Sequence, residues 1–145
     1  MGKVKLSDIQ VISQRRIETP GGDVLHGLKA GEKSFVGFGE IYFSWINKNS
    51  IKAWKLHTRM TMNLIVSLGN VRFVFGLKNS DGNFEFRIEE IGIDNYARIT
   101  VPPGIWFGFK GLAASQSLIT NIANIPHDET EVERLSKSEI NYEWV

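Results

Sequence analysis

Glycine and asparagine punctuate the chain, and between those breaks lie short runs of Val, Ile, Phe, Tyr and Trp. The clearest run spans 71–77. There Val71, Phe73 and Phe75 alternate with Arg72 and Val74, the two-residue period of a strand with one buried face. The same reading predicts strands at 39–45, 51–57, 62–67, 71–77, 84–91, 97–101, 104–110 and 116–122. Turn chemistry separates them at Asn47-Lys48-Asn49, Gly69-Asn70, Asp94-Asn95 and Pro102-Pro103-Gly104. Asn79-Ser80-Asp81-Gly82-Asn83 reads as a hairpin loop. Helix candidates are confined to 5–9 and 129–136. Many short strands with little helix predict an all-β antiparallel sandwich or barrel, with short helices at the termini, in one domain over 1–145.

Composition narrows the function classes. A chain of 145 residues buries roughly 68–70% of its unfolded surface, enough for a core without staples. The net charge of +1 supplies no dominant basic face, which argues against a nucleic-acid partner. There is no cysteine, so disulfides, thiolate zinc sites and cysteine nucleophiles are excluded. The N-terminus, MGKVKLSDIQ, has no apolar run of a signal peptide. No stretch reaches the ~18 apolar residues of a membrane span. The expectation is a cytoplasmic protein with no membrane partner.

The candidate chemistry centres on His57 in the run Ser50 to Met60, "SIKAWKLHTRM". Residues two apart on a strand share a face, so Lys55 and His57 are expected to point the same way, about 7 Å apart. Arg59 shares that parity if the strand continues. Lys55-Leu56-His57 has the spacing of the His-x-His ligand pair of cupin barrels, with Met62 at the position of that signature's Glu and Gly69 closing it. Pro102-Pro103-Gly104 has the spacing of the second cupin signature, with Phe107 at the place of its last His. Of four metal-ligand positions only His57 is a ligand type. A first-row metal needs three or four convergent donors, so neither a metal nor another cofactor is expected.

The wording between these anchors extends the likeness. "GEIYFSWINKNSIKAWKLH", "NLIVSLGNVRFVF", "ITVPPGIWFGFKGL" and the tail "PHDETEVERL" to "INYEW" resemble the dTDP-4-dehydrorhamnose 3,5-epimerase family of metal-free cupins and the related nucleotide-sugar 3,4-ketoisomerases. The resemblance implies a homodimeric antiparallel jelly roll acting on a dTDP-linked 4-keto-6-deoxy sugar in cell-surface polysaccharide biosynthesis. It also implies a histidine that removes the proton next to the ketone, a lysine that stabilises the enolate, a tyrosine that returns a proton, and an aspartate that orients the histidine. His57 matches the base. The lysine position falls at Met62 or Asn63, the tyrosine position near Leu118, and the aspartate position beyond Val145. The family's arginine three residues before the histidine is Trp54 here, and the first histidine of the ketoisomerases is Lys55.

The expected roles follow. His57 is the base and Lys55 its electrostatic partner. Arg59 and Arg72 are candidate diphosphate contacts. Trp54, Trp106 and Asn63 are candidate substrate contacts, although large aromatics more often fill a β core. Asp23 and His26 lie in a glycine-rich stretch read as a surface turn. Glu129, Glu131 and Glu133 read as a solvated acidic face. The alternative to an isomerase is a catalytically silent cupin that binds a sugar nucleotide or a partner enzyme.

Overall fold

The structure is a computed structural model that describes residues 3–145; Met1 and Gly2, where the N-terminal reading begins, lie outside the described residues. Among the described residues twelve strands form: β1 (Gln10–Ser13), β2 (Arg16–Ile17), β3 (Val24–Leu25), β4 (Glu40–Ile46), β5 (Ile51–His57), β6 (Met62–Leu68), β7 (Asn70–Lys78), β8 (Phe84–Gly92), β9 (Ala97–Val101), β10 (Trp106–Gly111), β11 (Ser117–Ala123) and β12 (Val132–Arg134). They pair antiparallel into two five-stranded sheets, in the orders β1-β9-β6-β11-β4 and β12-β5-β10-β7-β8, beside a small β2-β3 ribbon. This is the antiparallel jelly-roll sandwich, and all eight predicted strands are present within it.

The predicted terminal helices are not. Residues 5–9 contain a single 3₁₀ turn, Leu6–Asp8. The stretch 129–136 splits into a 3₁₀ turn, Glu129–Glu131, and strand β12. Thr130 and Val132 are β-branched and resist a helix. The Asp128 carboxylate accepts the Thr130 N–H and holds the turn. Val132, Glu133 and Arg134 then pair with His57, Leu56 and Lys55.

The core fills the space between the sheets. Met62, Leu64 and Val66 on β6, Val71, Phe73 and Phe75 on β7, and Ala97, Ile99 and Val101 on β9 all point inward. The intervening residues Asn63, Arg98 and Thr100 point outward, yet they too are buried. A loop over residues 26–36 covers them. Arg98 donates to the Gly27 carbonyl, the Glu32 carboxylate and the Ser34 hydroxyl, while Asn63 donates to the Ser34 carbonyl.

A second cluster covers the outer face of the other sheet. Trp54 and Val74 pack there with Phe84, Phe86 and Trp106, under Ile140, Tyr142 and Trp144 of the C-terminal tail. Trp54 and Trp144 have ring centroids 5.3 Å apart, and Tyr142 meets Trp54 edge-on.

One irregularity shapes the inner face. The β10–β5 register slips between Phe107, opposite Lys55, and Gly108, opposite Ala53, so Trp54 is an extra, bulged residue. Phe109 then lies opposite Lys52. Because Phe107 and Phe109 belong to the core, Lys52 and Lys55 share its side of the sheet with His57, although the two lysines are three positions apart. A Cβ on Gly108 would lie 2.6 Å from Ala53 and 3.1 Å from the Trp144 ring, so only glycine fits behind the bulge. Among the described residues no helix is long and apolar enough to cross a membrane.

Candidate active site

His57 ends β5, and the second cupin signature fixes it there: the Gly104 N–H donates to the His57 carbonyl at 2.7 Å, with Gly104 at φ +93°. That backbone conformation favours glycine. The imidazole is 4% exposed and stacks on Phe107, centroids 5.9 Å apart. Its Nδ1 lies 2.5 Å from Oε2 of Glu131.

Glu131 overturns the reading of a solvated acidic face. It is completely buried, whereas Glu133 is exposed and Glu129 binds Arg134 and His127 at the surface. Oε1 of Glu131 accepts the backbone N–H groups of Arg59 and Met60, each at 3.0 Å. Burial pushes the Glu131 carboxyl up, but the hydrogen bonds from His57, Arg59 and Met60 outweigh it and hold the group below its ordinary range. Burial pushes His57 down, and the Glu131 carboxylate only partly offsets this. The pair is therefore carboxylate and neutral imidazole. Nδ1–H donates to Glu131, which leaves the lone pair on Nε2. Nε2 makes no hydrogen bond among the described residues and is not among the sealed, unpartnered atoms. It faces a cavity.

That cavity, about 320 Å³, lies between the sheets, with His57, Lys55, Met62 and Phe107 all on its wall. The four cupin ligand positions thus do converge, but only one carries a metal ligand. Among the described residues no group of three or more His, Asp or Glu could hold a metal ion. Lys55 is half-buried and pairs with no carboxylate among the described residues. Burial pushes its ammonium below the ordinary lysine range, and Arg134 adds to the effect. Lys52 and Arg134 complete a cationic mouth; Arg134 is forked onto Glu129, and Lys52 donates to the Trp45 carbonyl.

Across the cavity stands Tyr42, on β4 of the opposite sheet. Its hydroxyl accepts a hydrogen bond from Asn121 Nδ2 at 2.8 Å, and burial pushes the phenol up. The sequence pattern concealed it. On β4 the apolar residues Ile41, Phe43 and Trp45 are the exposed set, and the more polar Tyr42 and Ser44 face inward.

The remaining sequence candidates lie elsewhere. Arg59 is exposed and pairs with Asp128 at 2.7 Å, because β5 ends at His57 and the parity does not carry on. Arg72 alternates with the core residues of β7, so it points outward, bound to Glu90 and the Val145 carbonyl. Trp54 borders the cavity, but its ring packs in the outer cluster with Trp106. Asn63 points outward beneath the loop, held by Ser34 and Thr100. Leu118, opposite both Trp45 and Leu68, is likewise on the outer face, and its neighbour Ile119 lines the cavity. Asp23 pairs with Arg16, and the His26 carbonyl accepts from Tyr96.

No protein-family model and no curated protein matches the chain. Solved structures do. A dTDP sugar isomerase from Desulfovibrio desulfuricans G20 is 33% identical, over 94% of this chain and 90% of that one, with a TM-score of 0.87. A sugar 3,4-ketoisomerase from Thermoanaerobacterium thermosaccharolyticum, solved with TDP, is 18% identical over 94% of both chains, at a TM-score of 0.75. A dTDP-4-dehydrorhamnose 3,5-epimerase from Elizabethkingia anophelis NUHP1 is 14% identical, over 99% of this chain and 84% of that one, at a TM-score of 0.76. The latter two share the fold. On the strength of one-third identity along nearly the full length of both chains, this chain belongs to the dTDP-sugar isomerase family.

Proposed function

We propose that the chain is a nucleotide-sugar isomerase that epimerises a dTDP-linked 4-keto-6-deoxy sugar by moving a proton next to the ketone. The observation that carries this reading is the buried His57–Glu131 pair, whose free Nε2 opens on a cavity beside the unpaired Lys55. Nε2 takes the proton from the carbon next to the ketone, and the electron pair moves onto the ketone oxygen as an enolate. Glu131 stabilises the imidazolium that forms and fixes its tautomer. The Lys55 ammonium stabilises the enolate oxygen, a contribution that grows in a site shielded from water. Tyr42, across the cavity, returns a proton to the opposite face of the carbon, which inverts it.

The cavity is at the small end of ligand pockets, roughly 300–1,000 Å³. It suits a sugar ring, with the nucleotide left at the mouth. There Lys52 and Arg134, rather than Arg59 and Arg72, are placed to meet the diphosphate. The family's aspartate and tyrosine roles fall to Glu131 and Tyr42, which weakens the reading of a silent binder. The place of the product in cell-surface polysaccharide assembly rests on the family resemblance.

The test is solvent deuterium exchange into a dTDP-4-keto-6-deoxy sugar. His57→Asn is expected to lower exchange by about 10²–10⁴-fold, the contribution of a general base, while dTDP still raises the melting temperature. Undiminished exchange in that variant overturns the proposal. Binding of dTDP without exchange by the parent protein selects the silent binder.

A further inference from the structure

We propose that Asn121 sets the stereochemical outcome at this site: it holds the Tyr42 hydroxyl so that the phenol proton is left for the substrate, and without it the chain exchanges a proton but does not invert the carbon. The proposal rests on the isomerase reading and deepens it. It assigns a positioning residue that acts through Tyr42.

The register of the sheet brings the two side chains together. Asn121 on β11 stands directly opposite Tyr42 on β4. Residues directly opposite on neighbouring strands share a face, and both of these line the cavity. Asn121 is 3% exposed, and a buried amide is costly unless its polar atoms find partners. Here they do. The Asn63 N–H donates to Oδ1 at 3.2 Å, while Nδ2 lies 2.8 Å from the Tyr42 oxygen and 3.7 Å from Met60 Sδ.

These contacts fix which way round the amide stands. A backbone N–H can only donate, so the amide atom it meets is the oxygen, and the NH₂ is turned to Tyr42. The phenol oxygen is therefore the acceptor in that bond. Its own O–H has only the Met60 thioether, at 3.7 Å, among the described residues, and a thioether is a weak acceptor. The buried carboxylate of Glu131 is already occupied by His57, Arg59 and Met60. The phenol proton is thus uncommitted, and Tyr42 is set to give a proton rather than to take one.

The two walls of the cavity then carry opposite halves of the reaction. Nε2 of His57 removes the proton next to the ketone, and the C–H electron pair becomes the enolate. The enolate carbon can take a proton from either wall. From Tyr42 it arrives on the opposite face, the O–H pair stays on the phenolate oxygen, and the carbon is inverted. From the His57 imidazolium, after exchange with water, it returns to the original face, and the carbon is labelled without inversion. After an inversion the phenolate regains a proton from water and the imidazolium gives one up. Burial disfavours the charged phenol, and the Asn121 N–H opposes that effect. Removing this donor slows the Tyr42 route and leaves the His57 route open.

Asn121→Asp tests this. It keeps the size of the side chain and the acceptor for the Asn63 N–H, but it turns the donor facing Tyr42 into an acceptor that draws the phenol proton away from the cavity. Proton NMR of a dTDP-4-keto-6-deoxy sugar in D₂O, well above the ordinary carboxylate range of pH, reads deuterium and configuration at the carbon in one sample. Inversions per exchange event are expected to fall about 10–100-fold, the worth of one hydrogen bond to a charged group, while exchange continues. Tyr42→Phe is expected to lower the same ratio, and the double variant to lower it no further than Tyr42→Phe alone. Without any sugar, ¹³C-labelled tyrosine is expected to show the Tyr42 phenol titrating at higher pH in Asn121→Asp than in the parent. If Asn121→Asp does not fold, Asn121→Ser, which shortens the side chain away from the phenol, takes its place. An unchanged ratio in the folded Asn121 variant or in Tyr42→Phe, exchange and inversion falling together, or a double variant worse than Tyr42→Phe overturns the proposal and leaves the isomerase reading standing. A parent protein that exchanges no proton overturns the isomerase reading, and this proposal with it.

Discussion

Replacing Glu131 by Gln separates a catalytic pair from a buried relic. Three donors converge on this carboxylate: His57 Nδ1–H at 2.5 Å and the N–H groups of Arg59 and Met60 at 3.0 Å. A carboxylate accepts all three, but a primary amide has one acceptor oxygen and one donor nitrogen. If the amide oxygen turns to Arg59 and Met60, its NH₂ faces Nδ1. His57 then avoids a donor–donor clash only by moving its proton to Nε2 and accepting at Nδ1. The lone pair leaves the cavity and the base is lost.

The opposite amide orientation keeps the tautomer but leaves two buried N–H groups against a donor, at about 1–3 kcal/mol each. The first orientation is therefore favoured. The same swap behind the histidine of a serine protease costs about 10⁴-fold, and a fall of about 10³–10⁴-fold in deuterium exchange is expected here. Weakening one charge-assisted bond costs about 1–3 kcal/mol, which leaves a domain of ordinary stability, about 5–15 kcal/mol, still folded. The assay pairs exchange with thermal melting and with ¹⁵N NMR of the imidazole, which reads the protonated nitrogen directly. A folded Glu131→Gln protein that exchanges within about threefold of the parent refutes the argument.

Three further expectations follow from the same charges. Exchange should rise with pH through a midpoint below the ordinary histidine value of 6.5, because burial disfavours the imidazolium, and fall on the alkaline side before the ordinary lysine value of 10.5 as Lys55 loses its proton; a midpoint above 6.5 excludes a desolvated base. The unfolded chain binds a proton at His57 that the native state resists, so the melting temperature should fall as pH drops below 6.5, and further below 4.5 where Glu131 protonates in the unfolded chain first; a flat melting temperature between pH 8 and 5 refutes that coupling. Lys55→Met keeps the length of the side chain and removes a half-buried, unpaired charge. It should leave the melting temperature unchanged or higher while exchange falls by about 10²–10³-fold, and a drop in both together would mark Lys55 as structural.

Much of the fold was legible because strands with one buried face repeat every two residues, as 71–77 do. In the candidate site, the placement of His57 and Lys55 on one cavity wall was legible, because that same period and the cupin spacing set both on one face. Four other parts were not. Glu131 lies 74 positions from His57, among acids of the same type, and nothing local separates a buried carboxylate from its solvated neighbours. Lys52 carries the wrong parity for the cavity, and only the bulge at Trp54 turns it inward. Asn63 carries the wrong parity in the opposite sense, and only the loop above it hides it from water.

Tyr42 is the most instructive case, because there the pattern was clear and pointed the wrong way. Period-two logic assigns the more apolar parity to the core, which on β4 means Ile41, Phe43 and Trp45. That assignment assumes that the only apolar surroundings available are those inside one chain. In β4 the interior face borders the cavity between the sheets, where Asn121 Nδ2 donates to the Tyr42 hydroxyl, a bond a phenylalanine could not make. The apolar parity is then left on the outside, at an edge with free backbone groups. The cavity accounts for the inner half of the pattern, because Tyr42 and Ser44 both line it.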